Sequence, residues 1–285
     1  MRVYLVLVFR VPADLDDLFA AALWEAGTLG CEQREDGTLA AWFDQEPPGL
    51  VAAWGERGVA ILGRETVVEQ DWLAAYRAAV VPFELGAGFF VDPREPDLPA
   101  FEPPPGRRLL RLPARTAFGI GSHESTRLAF ELLEGADLEA KSVLDVGTGT
   151  GILVFAALAL GAARAVAFDL DVEAACAARQ NLDLNAGLLA GRRPMLFAGA
   201  IDALAPEARF DLVVANVLPG EIAESLATLA AHLAPDGEWI LSGLLIEQEG
   251  ALLAALAGLG FAPHRRAEAA EWAGLTFRRT GATPP

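Results

Sequence analysis

Val143-Leu144-Asp145-Val146-Gly147-Thr148-Gly149-Thr150-Gly151 reads as an apolar strand that ends in a turn of three glycines. Glycine permits the left-handed angles such a turn needs and lets a ligand approach the backbone closely. The Ala- and Leu-rich residues after the turn suit a helix packed on the sheet, so the stretch reads as a nucleotide-binding corner, with a glycine turn that holds no ligand as the plainer alternative. Two details favour S-adenosylmethionine over a dinucleotide. The dinucleotide fingerprint asks for glycine three places after Gly149, where this chain has Ile152. An acidic residue, Asp145, also stands at the strand end, where it can meet the charged methionine part of the cofactor or orient the turn.

Downstream of this corner, strands are expected over residues 165–168, 195–197, 212–215 and 238–242. Helices over 151–160, 172–184, 220–233 and 247–259 separate them, and 261–266 and 272–278 supply closing strands. The alternation implies a doubly wound, mostly parallel α/β sheet with helices on both faces. Asp169 closes the second strand about 20 residues beyond the glycines, a spacing at which a carboxylate accepts from both ribose hydroxyls. Its neighbour Asp171 can serve as the cap of the next helix. After the third strand, Asp202 is the candidate acceptor for the adenine amino group. The fourth strand ends in Ala215-Asn216-Val217-Leu218-Pro219, which puts Asn216 at the carboxyl edge where open α/β folds bind ligands. Its amide carbonyl can accept a hydrogen bond from a substrate amine and aim the lone pair at a methyl group. Asn216 is therefore the candidate catalytic residue, with helix capping as the plainer alternative.

Upstream, Phe118-Gly119-Ile120-Gly121-Ser122-His123-Glu124-Ser125-Thr126 combines two glycines with a run of polar side chains. Chemistry alone leaves two readings open: a loop that folds over a cofactor, or a helix start capped by Ser122. Residues 1–66 read strand, helix, strand, strand, helix, strand, with Asp14 as a helix cap and Glu35-Asp36-Gly37 as a hairpin turn, the order of a ferredoxin-like α+β unit. Residues 67–113 begin with a helix at Asp71-Trp72 and continue through Pro- and Gly-rich sequence, with extended pieces near 88–91 and 108–112. They read as a connector that packs on the main domain, residues 114–285.

Composition narrows the partners. Of the 285 residues 53% are hydrophobic and 21% charged, enough to bury a core and too apolar for general disorder. No apolar run approaches the roughly 18 residues of a membrane-spanning helix, and the short run at 3–9 reads as a buried strand rather than a signal peptide. A formal charge of -17 opposes nucleic acid and favours a basic protein partner, though it also serves solubility. Cys31 and Cys176 lack metal-ligand spacing and read as small buried hydrophobes, so no metal is expected. The expected compartment is the cytoplasm and the expected state a monomer.

The chain resembles the ribosomal protein L11 methyltransferase (PrmA) family. The loop at 118–126 matches that family's Phe-Gly-Thr-Gly-Thr-His-x-Thr-Thr, and 145–151, 169–171 and 215–218 match its glycine turn, Asp-x-Asp and Ala-Asn-Ile-Leu segments in order. Further likeness lies at Asp71-Trp72, Tyr76-Arg77 and Glu271-Trp272. The resemblance implies a Rossmann-like methyltransferase sheet preceded by a small ferredoxin-like domain that recognises the ribosomal protein. It implies that Thr126, Gly147, Asp169 and Asn216 contact S-adenosylmethionine, that Phe118 helps enclose it, and that amines of a basic ribosomal protein are the acceptors. With the turn itself, the expected cofactor residues are Phe118, Thr126, Asp145, Gly147, Gly149, Asp169, Asp202 and Asn216. Ile120, Ser122, Ser125 and Pro219 depart from the family pattern, and Ile120 removes a hydroxyl. Rival functions are an amine methyltransferase for another protein or a small molecule, a nucleotide-binding oxidoreductase, and a non-catalytic assembly factor.

Overall fold

The computed structural model describes residues 3–12, 15, 19, 22–23, 26–34, 37–55, 57–68, 80–113 and 121–281. The chain divides into two compact units, Met1–Ala75 and Tyr76–Pro285. The Asp14 cap, the turn residues Glu35 and Asp36, the helix start at Asp71-Trp72 and the loop residue Phe118 lie outside the described residues.

In the first unit, β1 (Val3–Arg10), β2 (Gly30–Gln33), β3 (Leu39–Phe43) and β4 (Ala60–Val68) form one antiparallel sheet in the order β2-β3-β1-β4. Alternate residues of β1 point to opposite faces. Leu7 and Phe9 join Phe19, Leu23, Phe43 and Leu50 of α1 (Leu50–Gly55) in one core, and Val6 and Val8 pack with Ala40 on the other face. Phe19 meets the rings of Phe9 and Trp54 edge-on at 5.0 and 5.2 Å.

The second unit is built on β8 (Ser142–Val146), β9 (Arg164–Asp169), β10 (Met195–Ala198), β11 (Phe210–Asn216), β12 (Leu233–Leu245), β13 (Phe261–Ala269) and β14 (Trp272–Arg279). Their order is β10-β9-β8-β11-β12-β14-β13, with the first five parallel, β14 antiparallel to β12 and β13 antiparallel to β14. The order reverses between β8 and β11. That switch point opens a crevice at the carboxyl ends of the two strands. Helices α2 (Glu124–Glu134), α3 (Ile152–Ala159), α4 (Val172–Leu184), α5 (Pro219–Ile222), α6 (Leu226–His232) and α7 (Glu249–Gly258) connect and cover the sheet. The single helix expected over 220–233 is two short helices, α5 and α6, joined by a 3-10 turn at Ala223–Ser225.

Helix α3 carries no polar side chain, and every residue from Ile152 to Leu158 is buried. A helix apolar on all sides must be covered on all sides. The remaining cover is a small sheet, β5 (Phe83–Leu85), β6 (Phe89–Asp92) and β7 (Arg108–Arg111), whose Leu85, Phe89, Val91 and Leu110 join the same core. Strand β7 is an edge, and edges leave backbone groups unpaired. Buried Asn185 supplies the missing partner: its Oδ1 accepts from Arg111 N–H and its Nδ2 donates to Arg111 O, each at 2.8 Å. Asn185→Ala is expected to lower unfolding free energy by about 2 kcal/mol, read in urea titration, because two shielded backbone groups lose their partner. An unchanged midpoint would refute this role.

Cys176 is exposed on the outer face of α4, while Ala174, Ala175, Ala177 and Ala178 turn inward, so the burial expected of this cysteine does not occur. Cys31 is half-buried. The sequence has one lysine, Lys141, which immediately precedes β8 and so lies at the edge of the sheet opposite the crevice. Among the described residues no helix is long and apolar enough to cross a membrane.

Candidate active site

The glycine turn takes its shape from β9 as well as β8. Gly147 N–H and Thr148 N–H both donate to Phe168 O at 3.0 Å, and Gly149 N–H donates to Asp169 Oδ2 at 2.9 Å. Gly147 has φ +69°, and a Cβ there would lie 2.5 Å from Val217 Cγ1. Glycine is thus required twice over, by angle and by space.

Asp145 lies beneath the turn, fully buried, and lines neither cavity of the crevice. Thr148 Oγ1 donates to its Oδ2 at 2.7 Å, while Oδ1 has no partner. Burial pushes its carboxyl up to about 7; hydrogen bonds from Thr148 and Val154 N–H oppose the rise, and the Asp169 charge adds to it. Of the two roles open to Asp145, this placement suits the orientation of the turn. Asp169, at the end of β9, accepts from Gly149 N–H and, through Oδ1, from Asp171 N–H at 3.0 Å. An ionised carboxylate offers about four acceptor positions, so two remain for a diol. Asp171 is the N-cap of α4, accepting from Glu173 N–H at 2.8 Å.

Asn216 does not cap the next helix, whose N-cap is Leu218. Its Nδ2 donates to the buried Thr126 Oγ1 at 3.0 Å, which leaves Oδ1 buried with no partner. An acceptor held in this way awaits a donor. Thr126 lies in the first turn of α2, so the loop at 118–126 contains a helix start; its N-cap is His123 rather than Ser122. His123 Nδ1 accepts from Ser125 N–H at 3.2 Å and lies 2.9 Å from Ser125 Oγ, and its ring meets Trp272 edge-on at 4.7 Å. With Nδ1 committed as an acceptor, the neutral ring carries its hydrogen on Nε2.

Two adjoining cavities occupy the crevice and share Gly147, Asp169, Val217 and Glu221. The first, about 260 Å³, has apolar walls from Val146, Phe168, Leu170, Ile201, Ile222 and Leu229, and suits a flat heterocycle. The second, about 520 Å³, holds His123, Gly149, Asp169, Asn216, Glu221 and Trp272. Asp202 lines neither: it is exposed on the 3-10 turn Ile201–Ala203, whose Ile201 does face the first cavity. Sequence reasoning did not single out Val217, Glu221 or Gly243. Gly243 has φ +85°, and its missing Cβ would sit 2.6 Å from Val217 O, so β12 closes against the chain that leaves β11. An isolated glycine within an apolar strand was the one signal of it. Apolar slot, spare carboxylate acceptors, open backbone turn and lone amide acceptor lie in sequence along one crevice, an arrangement that fits a nucleoside beside a small donor group.

The family described as "Ribosomal protein L11 methyltransferase (PrmA)" matches residues 43–280. A ribosomal protein L11 methyltransferase of Geobacter sulfurreducens is 33% identical over 301 aligned residues, 95% of this chain and 97% of the relative. That of Deinococcus radiodurans is 34% identical over 291, covering 96% and 99%. The crystal structure of a ribosomal protein L11 methylase from Lactobacillus delbrueckii subsp. bulgaricus superposes with a TM-score of 0.60 at 32% identity, covering 70% of this chain and 98% of that one.

Proposed function

We propose, since the chain belongs to the ribosomal protein L11 methyltransferase family, that it methylates lysine side chains or the α-amino group of that protein, with Asn216 orienting the acceptor amine. Reaction class, cofactor and substrate follow from the family: the protein is an S-adenosyl-L-methionine-dependent methyltransferase acting on ribosomal protein L11. The observation that carries the amine assignment is the buried, unpartnered Asn216 Oδ1 in the wall of the larger cavity.

S-adenosyl-L-methionine, when bound, supplies a sulfonium methyl that is already activated for attack. The residues of this chain have other work. The walls of the smaller cavity would hold the adenine, Asp169 the ribose hydroxyls, and the turn at Gly147 and Gly149 the bend between nucleoside and amino acid. The acceptor must be neutral, yet a free lysine has a pKa near ~10.4, so deprotonation at pH 7 costs about 4–5 kcal/mol. Asn216 Oδ1 accepts one N–H of the neutral amine and fixes the direction of its lone pair; Thr126 fixes Asn216. Alignment of this kind is the main contribution asked of the protein. His123 holds the start of α2 and takes no proton in this scheme.

The N-terminal unit has the strand order of a ferredoxin-like fold and is the proposed recognition domain for L11. A net charge of -17 suits a basic ribosomal protein, met in the cytoplasm. Incubation with methyl-labelled S-adenosylmethionine and purified L11 tests the assignment: label on L11 amines is expected, and label on other residues or none would reject it. Asp169→Asn is expected to weaken adenosylhomocysteine binding roughly 10–30-fold by calorimetry, through lost charge-assisted hydrogen bonds. Unchanged affinity would remove Asp169 from the cofactor site.

A further inference from the structure

Glu221 belongs to both cavities, on the first turn of α5. Its Oε2 accepts from Leu218 N–H at 3.3 Å, the reach-back of an N3 glutamate to its helix cap, and Oε1 makes no hydrogen bond. The other carboxylates lining the larger cavity have other engagements. Asp171 caps α4, and Asp169 holds the turn and faces the ribose position. Among the described residues no lysine or arginine lines either cavity, so none of them pairs with Glu221 there. Across the same cavity stands the unpartnered Asn216 Oδ1, an acceptor for N–H.

We infer that Glu221 determines specificity for a cationic acceptor: its uncommitted carboxylate oxygen holds the incoming lysine ammonium where the two cavities meet, before the amine turns to Asn216. This rests on the function proposed above. A lysine arrives charged and reacts neutral, and the two states ask for different neighbours. A carboxylate favours the charged form and raises the pKa of a nearby amine, so it aids capture and opposes deprotonation. Asn216 Oδ1, with no charge, favours neither form as strongly. The proton passes to solvent through the open mouth of the cavity. Among the described residues, the titratable groups lining that cavity are His123 from the start of α2, Asp169 and Asp171 from the β9–α4 turn, and Glu221 from α5.

Glu221→Gln keeps an acceptor for Leu218 N–H and removes only the charge. With full-length protein and L11, KM for L11 is expected to rise roughly fivefold. The rise of kcat with pH is expected to move to lower pH, because the bound amine loses its proton more easily. Affinity for adenosylhomocysteine is expected to stay constant. A fall in kcat at every pH with KM intact would make Glu221 a base and overturn the inference. Loss of adenosylhomocysteine affinity would give it to the cofactor, and unchanged KM would leave it no part in capture; either overturns the inference. A second measurement is independent of L11. In the adenosylhomocysteine complex, Nα-acetyl-lysine amide should bind more tightly than the amide of Nα-acetyl-2-aminoheptanoic acid, in which a methyl group replaces the ammonium, and Glu221→Gln should abolish the difference. A wild-type chain that leaves L11 unlabelled yet shows this preference would reject the proposed substrate while retaining the role of Glu221; equal binding of the two amides would reject that role.

Discussion

Asn216→Ala is expected to lower kcat for L11 methylation by about 10²–10³-fold, with affinity for adenosylhomocysteine kept within roughly fivefold. The reason is geometric. Asn216 Oδ1 is buried and unpartnered, and its orientation is fixed from behind by the 3.0 Å bond between Nδ2 and Thr126 Oγ1. An acceptor organised in advance costs nothing to reorganise when the amine arrives, and its loss is felt where alignment matters most. Alanine leaves the apolar cavity and the Asp169 carboxylate in place, so cofactor binding survives. Single-turnover methylation beside calorimetry separates the two quantities. If kcat held, or if both quantities fell together, Asn216 would have no special hold on the acceptor.

Asp145→Asn is expected to stabilise the ligand-free protein above neutral pH, by on the order of 4 kcal/mol. Burial raises this carboxyl from its ordinary 3.8 to about 7. Between those values the native state keeps a proton that the unfolded chain has released, so the unfolded state binds fewer protons and stability falls as pH rises through the window. The gap corresponds to about 4 kcal/mol once pH exceeds 7. Asparagine has no charge to bury and can still accept from Thr148 Oγ1, so the variant should lack that part of the decline. Urea titrations from about pH 4 to 8 would show the two curves diverging. Parallel curves would mean that Asp145 ionises as readily in the fold as outside it. The unpartnered Oδ1 points the same way, since a buried charge with no donor to that oxygen costs more than a neutral carboxyl.

The corner around Gly147 was legible because each residue there obeys a local rule: apolar strand, glycines at left-handed angles, apolar helix. Asp169 and Asn216 were legible from position alone, each at the end of a parallel strand. Asp71-Trp72 and Phe118 lie outside the described residues. What sequence could not display is assembly across the chain. Glu221, Trp272 and Gly243 meet at the crevice only because β11, β12 and β14 are neighbours; Gly243 shows locally only as a glycine in an apolar strand, Trp272 only through the family likeness, and Glu221 not at all. Asp202 shows the converse. Its place after the third strand suggested the adenine, yet the 3-10 turn at Ile201–Ala203 sends Ile201 to the cavity and leaves Asp202 in solvent. The cap of α2 fell to His123 rather than Ser122 because an imidazole nitrogen can reach Ser125 N–H just as a hydroxyl does. The break between α5 and α6 is masked in the sequence by Ala223 and Glu224 and by the Ala- and Leu-rich residues that follow.

Lys141, the sole lysine, stands before β8, and the proposed site lies beyond the far end of that strand. On the proposed function, the chain keeps its own lysine a strand's length from the methyl donor. Methyl-lysine recovered after digestion of a reaction mixture can then be attributed to the partner molecule, and the enzyme serves as its own blank.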